Sequence, residues 1–267
     1  MMRIPAPPLF PTRLFPVLLL AALLACTVSC ASQDENVLMT GPAPAAPGDD
    51  DHDRSGLPAD APGGPGEIKR AGGNPGARIT GGNGDYRFGS SRIDTHLPEG
   101  YPEPTPPGAI DIKHYPPVRR AEVSGRVNAN VGMNLGFWPL FRHIQRREIA
   151  MTSPVEMDYH GWDGDASGPR RWTMSFLYRT ADLGPTGEDG RVEVIDTEPL
   201  IVLAIGMTGR YHLSTVRRGL AELEAWLAEQ DHWRVAGDPR AFYYNDPSVP
   251  NDRKWLEVHL PIKPRTK

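Results

Sequence analysis

Apolar and polar residues alternate along Ala109–Tyr115 and again along Val118–Val127, either side of a Pro116-Pro117 break, which predicts two β-strands. The period then changes. Leu135 to Gln145 carries an apolar stripe at helical spacing, with Pro139 expected near the first turn, because a proline deeper in a helix costs about 3 kcal/mol. Val155–Tyr159 and Trp172–Tyr178 return to strand alternation, joined by a Gly/Asp-rich loop. The second half repeats the order. Val192–Asp196 and Leu200–Thr208 are strands, and a helix from Ser214 to about Gln230 places Val216, Leu220, Leu223 and Leu227 on one face. Ser214 or Thr215 is the expected cap of its free amides. Ala241–Tyr244 and Trp255–Pro261 close the pattern. Two strand-strand-helix-strand-strand units in tandem predict an α+β domain, with a curved antiparallel sheet and two helices packed on it.

The residues before Ala109 read differently. Between Gly41 and Gly76, 16 of 36 residues are Gly or Pro, and the only large aliphatics are Leu57 and Ile68. Such a stretch buries too little apolar surface to offset its ordering entropy. Residues 32–107 are therefore expected to form a flexible tether, with Tyr86, Phe88, Ile93, Leu97 and Tyr101 able to dock part of it. A coil of that length spans on the order of 45–50 Å. At the N-terminus, Arg3 and Arg13 precede an apolar run from Leu14 to Ala25, too short to span a bilayer comfortably and followed by Cys26 and Cys30. The pattern resembles a bacterial lipoprotein signal, with Cys30 or Cys26 as the lipidated residue. Cleavage after Ala31 without lipid is the alternative. The expected organisation is a signal over 1–31, a tether over 32–107 and a domain over 108–263, exported and anchored in the cell envelope.

Three strings add an identity to this outline. Ile112-Lys113-His114-Tyr115-Pro116-Pro117 opens the first strand pair. Phe137-Trp138-Pro139-Leu140-Phe141-Arg142-His143-Ile144 leads into Met151-Thr152-Ser153-Pro154-Val155. Tyr244-Asn245-Asp246-Pro247 precedes Glu257-Val258. In this order they resemble the SOUL/haem-binding-protein family over residues 109–263. The resemblance implies a distorted antiparallel β-barrel with two helices and pseudo-twofold symmetry. It also implies a haem or tetrapyrrole ligand, held for storage, buffering or transfer. One position departs from the family string: Leu256 stands where its members usually carry an asparagine, so a polar contact is lost there.

Haem needs an apolar slot, cations for its propionates and often an axial ligand. Phe137, Leu140, Phe141, Ile144 and Met151, with Met174 and Phe176, are candidate slot residues or simply core. Arg142, Arg146 and Arg147 are candidate propionate partners or a solvated helix face. Of eight histidines, His114 is the candidate iron ligand, placed by strand alternation on one face with Ile110 and Ile112. His143 comes second, and His259 has no evident partner.

Other chemistry is excluded or weak. No residue beyond Cys30 can supply a thiolate, and the Cys26/Cys30 spacing does not suit covalent haem attachment. No HExxH motif, P-loop, dinucleotide fingerprint or nucleophile elbow is present. Asp51-His52-Asp53 begins like a calcium loop, but Pro62 occupies its twelfth position. A net charge of −4 predicts no nucleic-acid groove. Two other functions remain open. One is a small-molecule-binding or hydrolysing domain of the effector-binding type, which could recruit Glu148, Glu156 or Glu257. The other is an interaction domain with a vestigial pocket.

Overall fold

The structure, a computed structural model, describes residues 57–162 and 168–265. The chain divides into two units at Asp50/Asp51, and every described residue belongs to the second. The expected signal, Cys26, Cys30, the acidic run at Asp51–Asp53 and the tether up to residue 56 lie outside the described residues.

From residue 57 onward the expected tether is replaced by ordered structure. β1 (Ile68–Gly73) pairs antiparallel with β5 (Ala109–Tyr115). β2 (Thr80–Gly82), β3 (Asp85–Phe88) and β4 (Ser91–Ile93) form a separate three-stranded sheet. The composition misled because its glycines permit close approach rather than disorder. A Cβ on Gly72 would stand 3.0 Å from the Trp226 ring, whose Nε1–H donates to the Ala71 carbonyl at 3.2 Å. Asp60 accepts from Trp233 Nε1–H at 3.1 Å, so the segment is held by side chains as well as by backbone.

The rest of the chain follows the predicted order, with two short strands, Gly187–Asp189 and Trp233–Val235, that were not expected. After β5 come β6 (Arg119–Gly125), α1 (Ala129–Arg146), β7 (Val155–His160), β8 (Arg171–Leu177), β9 (Gly187–Asp189) and β10 (Val192–Asp196). β11 (Leu200–Thr208), α2 (Leu213–Ala228), β12 (Trp233–Val235), β13 (Arg240–Tyr243) and β14 (Trp255–Pro264) complete it. The main sheet runs β1-β5-β11-β14-β13-β7-β8-β6-β10-β9, with β12 also paired to β14. Pairing β5, β6, β7 and β8 with β10, β11, β13 and β14 as counterparts reverses this order and reproduces it, which is the expected pseudo-twofold repeat. The hydrogen-bonded path does not close on itself, so the domain is an α+β fold on a large antiparallel sheet rather than a sealed barrel. Its two crossovers meet: the Thr197 amide donates to the Val118 carbonyl at 2.9 Å, and the Val118 amide to Thr197 Oγ1 at 3.1 Å.

Both helices differ from expectation at their starts. α1 begins at Ala129, capped by Asn128, so Pro139 lies in its interior. Gly132 and Gly136 weaken the local helical signal but let the helix lie against Trp172, where a Cβ on Gly132 would come within 2.3 Å of the ring. The carbonyl left without a donor by Pro139 belongs to Leu135, on the solvent side, where water can satisfy it. α2 is capped by His212, whose Nδ1 accepts from the Ser214 amide at 3.2 Å, and the Thr215 hydroxyl instead donates to the Arg210 carbonyl.

The sheet buries apolar residues on both faces. One cluster joins both helices to the sheet through Leu140, Ile144, Val216, Leu220 and Leu223. A second gathers Tyr86, Ile93, Tyr115, Phe242, Tyr244 and Trp255, with Phe88, Leu97 and Tyr101 packed on it. The aromatics of residues 86–101 thus do dock, as allowed. Ile93 is fully buried in this second cluster. Replacing Ile93 by Ala is expected to cost about 2–4 kcal/mol in chemical denaturation, the range for emptying a core site. A change under about 0.5 kcal/mol, as for an exposed residue, would mean that the segment is not part of the fold.

Candidate functional site

The outward side of α1 and the turn before it carry a group of exposed apolar residues. Val127, Val131, Leu135 and Trp138 account for half of the eight exposed large hydrophobic residues among the described residues, and Trp138 is 60% exposed. Val131, Leu135 and Trp138 fall on one helical stripe that Arg142 and Arg146 continue toward the C-terminus. Phe137 and Phe141 flank the stripe, half-buried and stacked at 5.6 Å between ring centroids. The apolar part spans about 10 Å along the helix axis.

The residues expected to form a haem slot divide. Leu140 and Ile144 are buried on the inner side of α1, packed in the main core with Met174 and Phe176. Phe137 and Phe141 reach the surface, Arg142 is exposed, and Met151 is exposed in the loop after the helix. His143 is fully buried, with Nδ1 2.7 Å from Asp189 and Nε2 2.8 Å from the Tyr178 hydroxyl, so both ring nitrogens are engaged. Burial lowers its pKa against the pull of Asp189. Asp189 also accepts from Arg146 at 2.9 Å and Arg147 at 3.3 Å, whereas Arg142 makes no ion pair among the described residues. His114 is half-buried in β5, between β1 and β11, while α1 packs on β6, β8 and β10. The structure joins the expected α1 residues on one element and leaves His114 on another.

The opposite face of the sheet carries a set of charges that alternation did not reveal. Lys113 and Glu257, both fully buried, pair at 2.8 Å. Glu257 also accepts from the Thr105 amide, the Tyr244 hydroxyl at 2.6 Å and His259 Nε2 at 2.8 Å. His259 Nδ1 accepts from Arg240 Nε at 3.2 Å, which fixes a neutral ring with its proton on Nε2. Arg240 pairs with Glu156 at 2.8 Å, and Arg120 bridges Glu156, Asp158 and Glu122 at 3.3, 3.0 and 2.9 Å. His259 therefore has partners on both sides. Glu257 and Glu156, weighed from the sequence as recruitable carboxylates, both belong to this set, whereas Glu148 is a positive-φ residue in the turn after α1. The legible signal was polar residues two apart on otherwise apolar strands: Asp111/Lys113, Glu156/Asp158 and Glu257/His259.

Burial works against every charge here, and the partners decide the outcome. For Glu257 burial raises the pKa, but Lys113 and His259 overcome it and bring it to about 2. Burial lowers His259 to about 4 despite Glu257. Burial and then neighbouring Glu156 raise Asp158 to about 7, so that its proton is shared toward Glu156, whose own pKa Arg240 and Arg120 lower against burial. These groups set the pH response. His259 has a depressed pKa, so its unfolded state binds the extra proton and stability falls as pH drops from about 6.5 to about 4. Asp158 has a raised pKa, so its contribution has the opposite slope and is lost as pH rises from about 3.8 through about 7. The two offset each other in the wild type. Asp158→Asn is expected to uncover the His259 contribution, giving a denaturation midpoint that falls on acidification across that window while the wild type stays flatter. Parallel profiles for the two proteins would show that Asp158 does not carry the proton.

An α+β domain with duplicated strand-helix units, an apolar-basic helix face and a charged sheet interior defines the class. The SOUL heme-binding protein family matches residues 103–261, and the chain belongs to it. No curated protein matches the chain. Among solved structures it is similar to a chain of the EcmrR–DNA complex, at 12% identity over 58% of this chain and 57% of that one, with a TM-score of 0.49. It thus spans just over half the length of that chain. The EcmrR C-terminal domain (13% identity, 58% and 96% covered, TM-score 0.48) and a hydrolase from Listeria innocua (14%, 60% and 94%, TM-score 0.46) are similarly distant. The family match begins after Pro102, so β1 to β4 lie outside it.

Proposed function

We propose that the protein binds haem or another tetrapyrrole on the outward stripe of α1. The observation that carries this reading is the exposed row Val131, Leu135 and Trp138 running into Arg142 and Arg146, in a chain of the SOUL family. Contiguous exposed apolar surface of this kind marks a binding site more often than a bare surface. The stripe suits an amphiphile with a flat apolar body and carboxylates at one end. Leu135 and Trp138 would cover the macrocycle, Phe137 and Phe141 would bound it, and the two arginines would pair with propionates. Iron chemistry would come from the haem, and these residues would bind, orient and shield it. No imidazole lies on the stripe, since His143 is engaged on both nitrogens, so apolar contact and the arginines carry the affinity. His114 remains the imidazole to test as an axial ligand.

Titration with hemin, followed by the Soret band, is expected to saturate at one equivalent. Leu135→Glu, a change at an exposed position, is expected to weaken binding on the order of tenfold or more by placing a charge against the macrocycle. His114→Ala is expected to leave the band in place. Non-saturating hemin uptake, or equal affinity in Leu135→Glu, would remove the stripe as the site.

The same reading takes the Leu14–Ala25 run and Cys30, or Cys26, as an export and lipidation signal, so that haem is held at the cell envelope for buffering or transfer. No helix among the described residues is long and apolar enough to cross a membrane. Mature protein should enter the detergent phase on partitioning, and Cys30→Ala should return it to the aqueous phase. Wild-type protein found wholly in the aqueous phase would contradict the anchor.

A further inference from the structure

A cavity of about 200 Å³ opens on the sheet face away from the helices, and the haem reading makes no use of it. Its floor is Arg120, Glu156, Asp158 and Arg240, its walls include Tyr101 and Tyr115, and exposed Glu198 and Asp238 stand at the mouth. Among the described residues, three donors of this lining are buried with no hydrogen-bond partner: Arg240 Nη2, Arg120 Nε and the Tyr115 hydroxyl. Buried polar atoms are almost always hydrogen-bonded, so three unmatched donors on residues of one cavity mark a place where a small side-chain movement would admit an acceptor. The arginine pair is also held rigidly. Glu156 fixes Arg240 Nη1, His259 fixes its Nε, and its guanidinium lies 5.0 Å from the Tyr115 ring centre and 4.8 Å from that of Phe242. A pre-oriented guanidinium with a spare N–H is suited to carboxylate.

We propose that this cavity binds a small monocarboxylate of about one ring's size, its carboxylate accepting from Arg240, Arg120 and Tyr115. The volume sets the size, since a cavity of about 150 Å³ holds a benzene ring whereas drug-sized ligands need roughly 300 Å³ or more. Tyr101, Tyr115 and Leu200 supply apolar and aromatic wall for the body of the ligand. Tyr101 precedes the family match and stacks on Phe242 at 6.5 Å, so part of this wall comes from outside the matched domain.

A carboxylate adds a negative charge beside Glu156 and Asp158, and a proton taken from solvent by Asp158 compensates it. Asp158 faces Glu156 on its own strand, Arg240 on β13, Arg120 and Glu122 on β6, and Tyr101 above, with His160 and Asp238 toward the mouth and His259 beyond Arg240. Protonated Asp158 donates to Glu156, which leaves Arg120 with a smaller negative load and free to serve the ligand. Binding is therefore coupled to proton uptake and weakens as pH rises past the Asp158 midpoint near 7.

Calorimetric titration of the full-length protein with benzoate, benzamide and benzylamine, one pH unit below and above that midpoint, tests the inference. Benzoate is expected to bind saturably and on the order of tenfold tighter at the lower pH, with protons taken up chiefly at the higher pH, whereas benzamide and benzylamine bind poorly. Tyr115→Phe, which removes only a hydroxyl, should weaken benzoate several-fold, and Asp158→Asn should flatten the pH dependence. The proposal is overturned if folded wild-type protein shows no saturable benzoate binding at the lower pH, if benzylamine or benzamide binds as well as benzoate, or if affinity does not change with pH. Hemin affinity should be the same with and without benzoate. Loss of hemin binding alone would sink only the α1 reading.

Discussion

A line of charged and polar side chains packed against one face of the sheet is the constraint on which the rest of the structure depends. Lys113, Glu257, His259, Arg240, Glu156, Arg120 and Asp158 connect β5, β14, β13, β7 and β6 by side-chain contacts. Each ion has given up hydration, and a well-packed apolar replacement would often be at least as stable. What the network supplies is register. A strand shifted by one residue would turn every one of these charges toward the helix core, so the set strongly disfavours slipped pairings. Removing Lys113 or Glu257 leaves the other buried without its counter-charge, at a cost of several kcal/mol.

That arrangement explains why residues before the family domain are needed. A sheet with charges and aromatics on its second face cannot leave that face open without wetting the Tyr115, Phe242 and Trp255 cluster. Residues 79–101 cover it, and β1 extends the sheet edge beside β5. Apolar packing by Ile93, Leu97 and Tyr101 closes around the ionic set. Part of the set stays reachable through the mouth at Glu198 and Asp238. Helices on one face, a cap on the other and a cavity at the rim leave the domain two separate surfaces: the apolar-basic stripe of α1 and the arginine-lined cavity.

Much of this fold was legible in the sequence because its periods are clean. The duplicated strand-helix order, the α2 stripe and the strand pairs around Pro116-Pro117 all followed from alternation and helical spacing. The start of α1 was not legible. Gly132 and Gly136 suppress local propensity and act through contact with Trp172, which only tertiary structure supplies. Residues 57–107 were misjudged for a related reason. Glycine and proline report backbone freedom, yet Gly72 serves the approach of Trp226. The candidate site was legible only by half. The α1 string drew attention to Phe137, Phe141 and Arg142, but spacing alone could not say that Leu140 and Ile144 turn inward, or that His143 is tied to Asp189 and Tyr178. Lys113, Glu156 and Glu257 stand within strands whose alternation places them opposite the helix-facing apolar residues. Alternation could not say that this face is also buried, and burial is what converts ordinary surface charges into a network.

Paramagnetic broadening of backbone amide resonances by one equivalent of hemin tests the central claim most directly, because it locates the ligand without altering a residue. Broadening centred on Val131 to Arg146, sparing β5 and the arginine-lined cavity, is the predicted result. Broadening centred on His114 and its neighbours in β1 and β11, or spread evenly over the surface, would contradict the account.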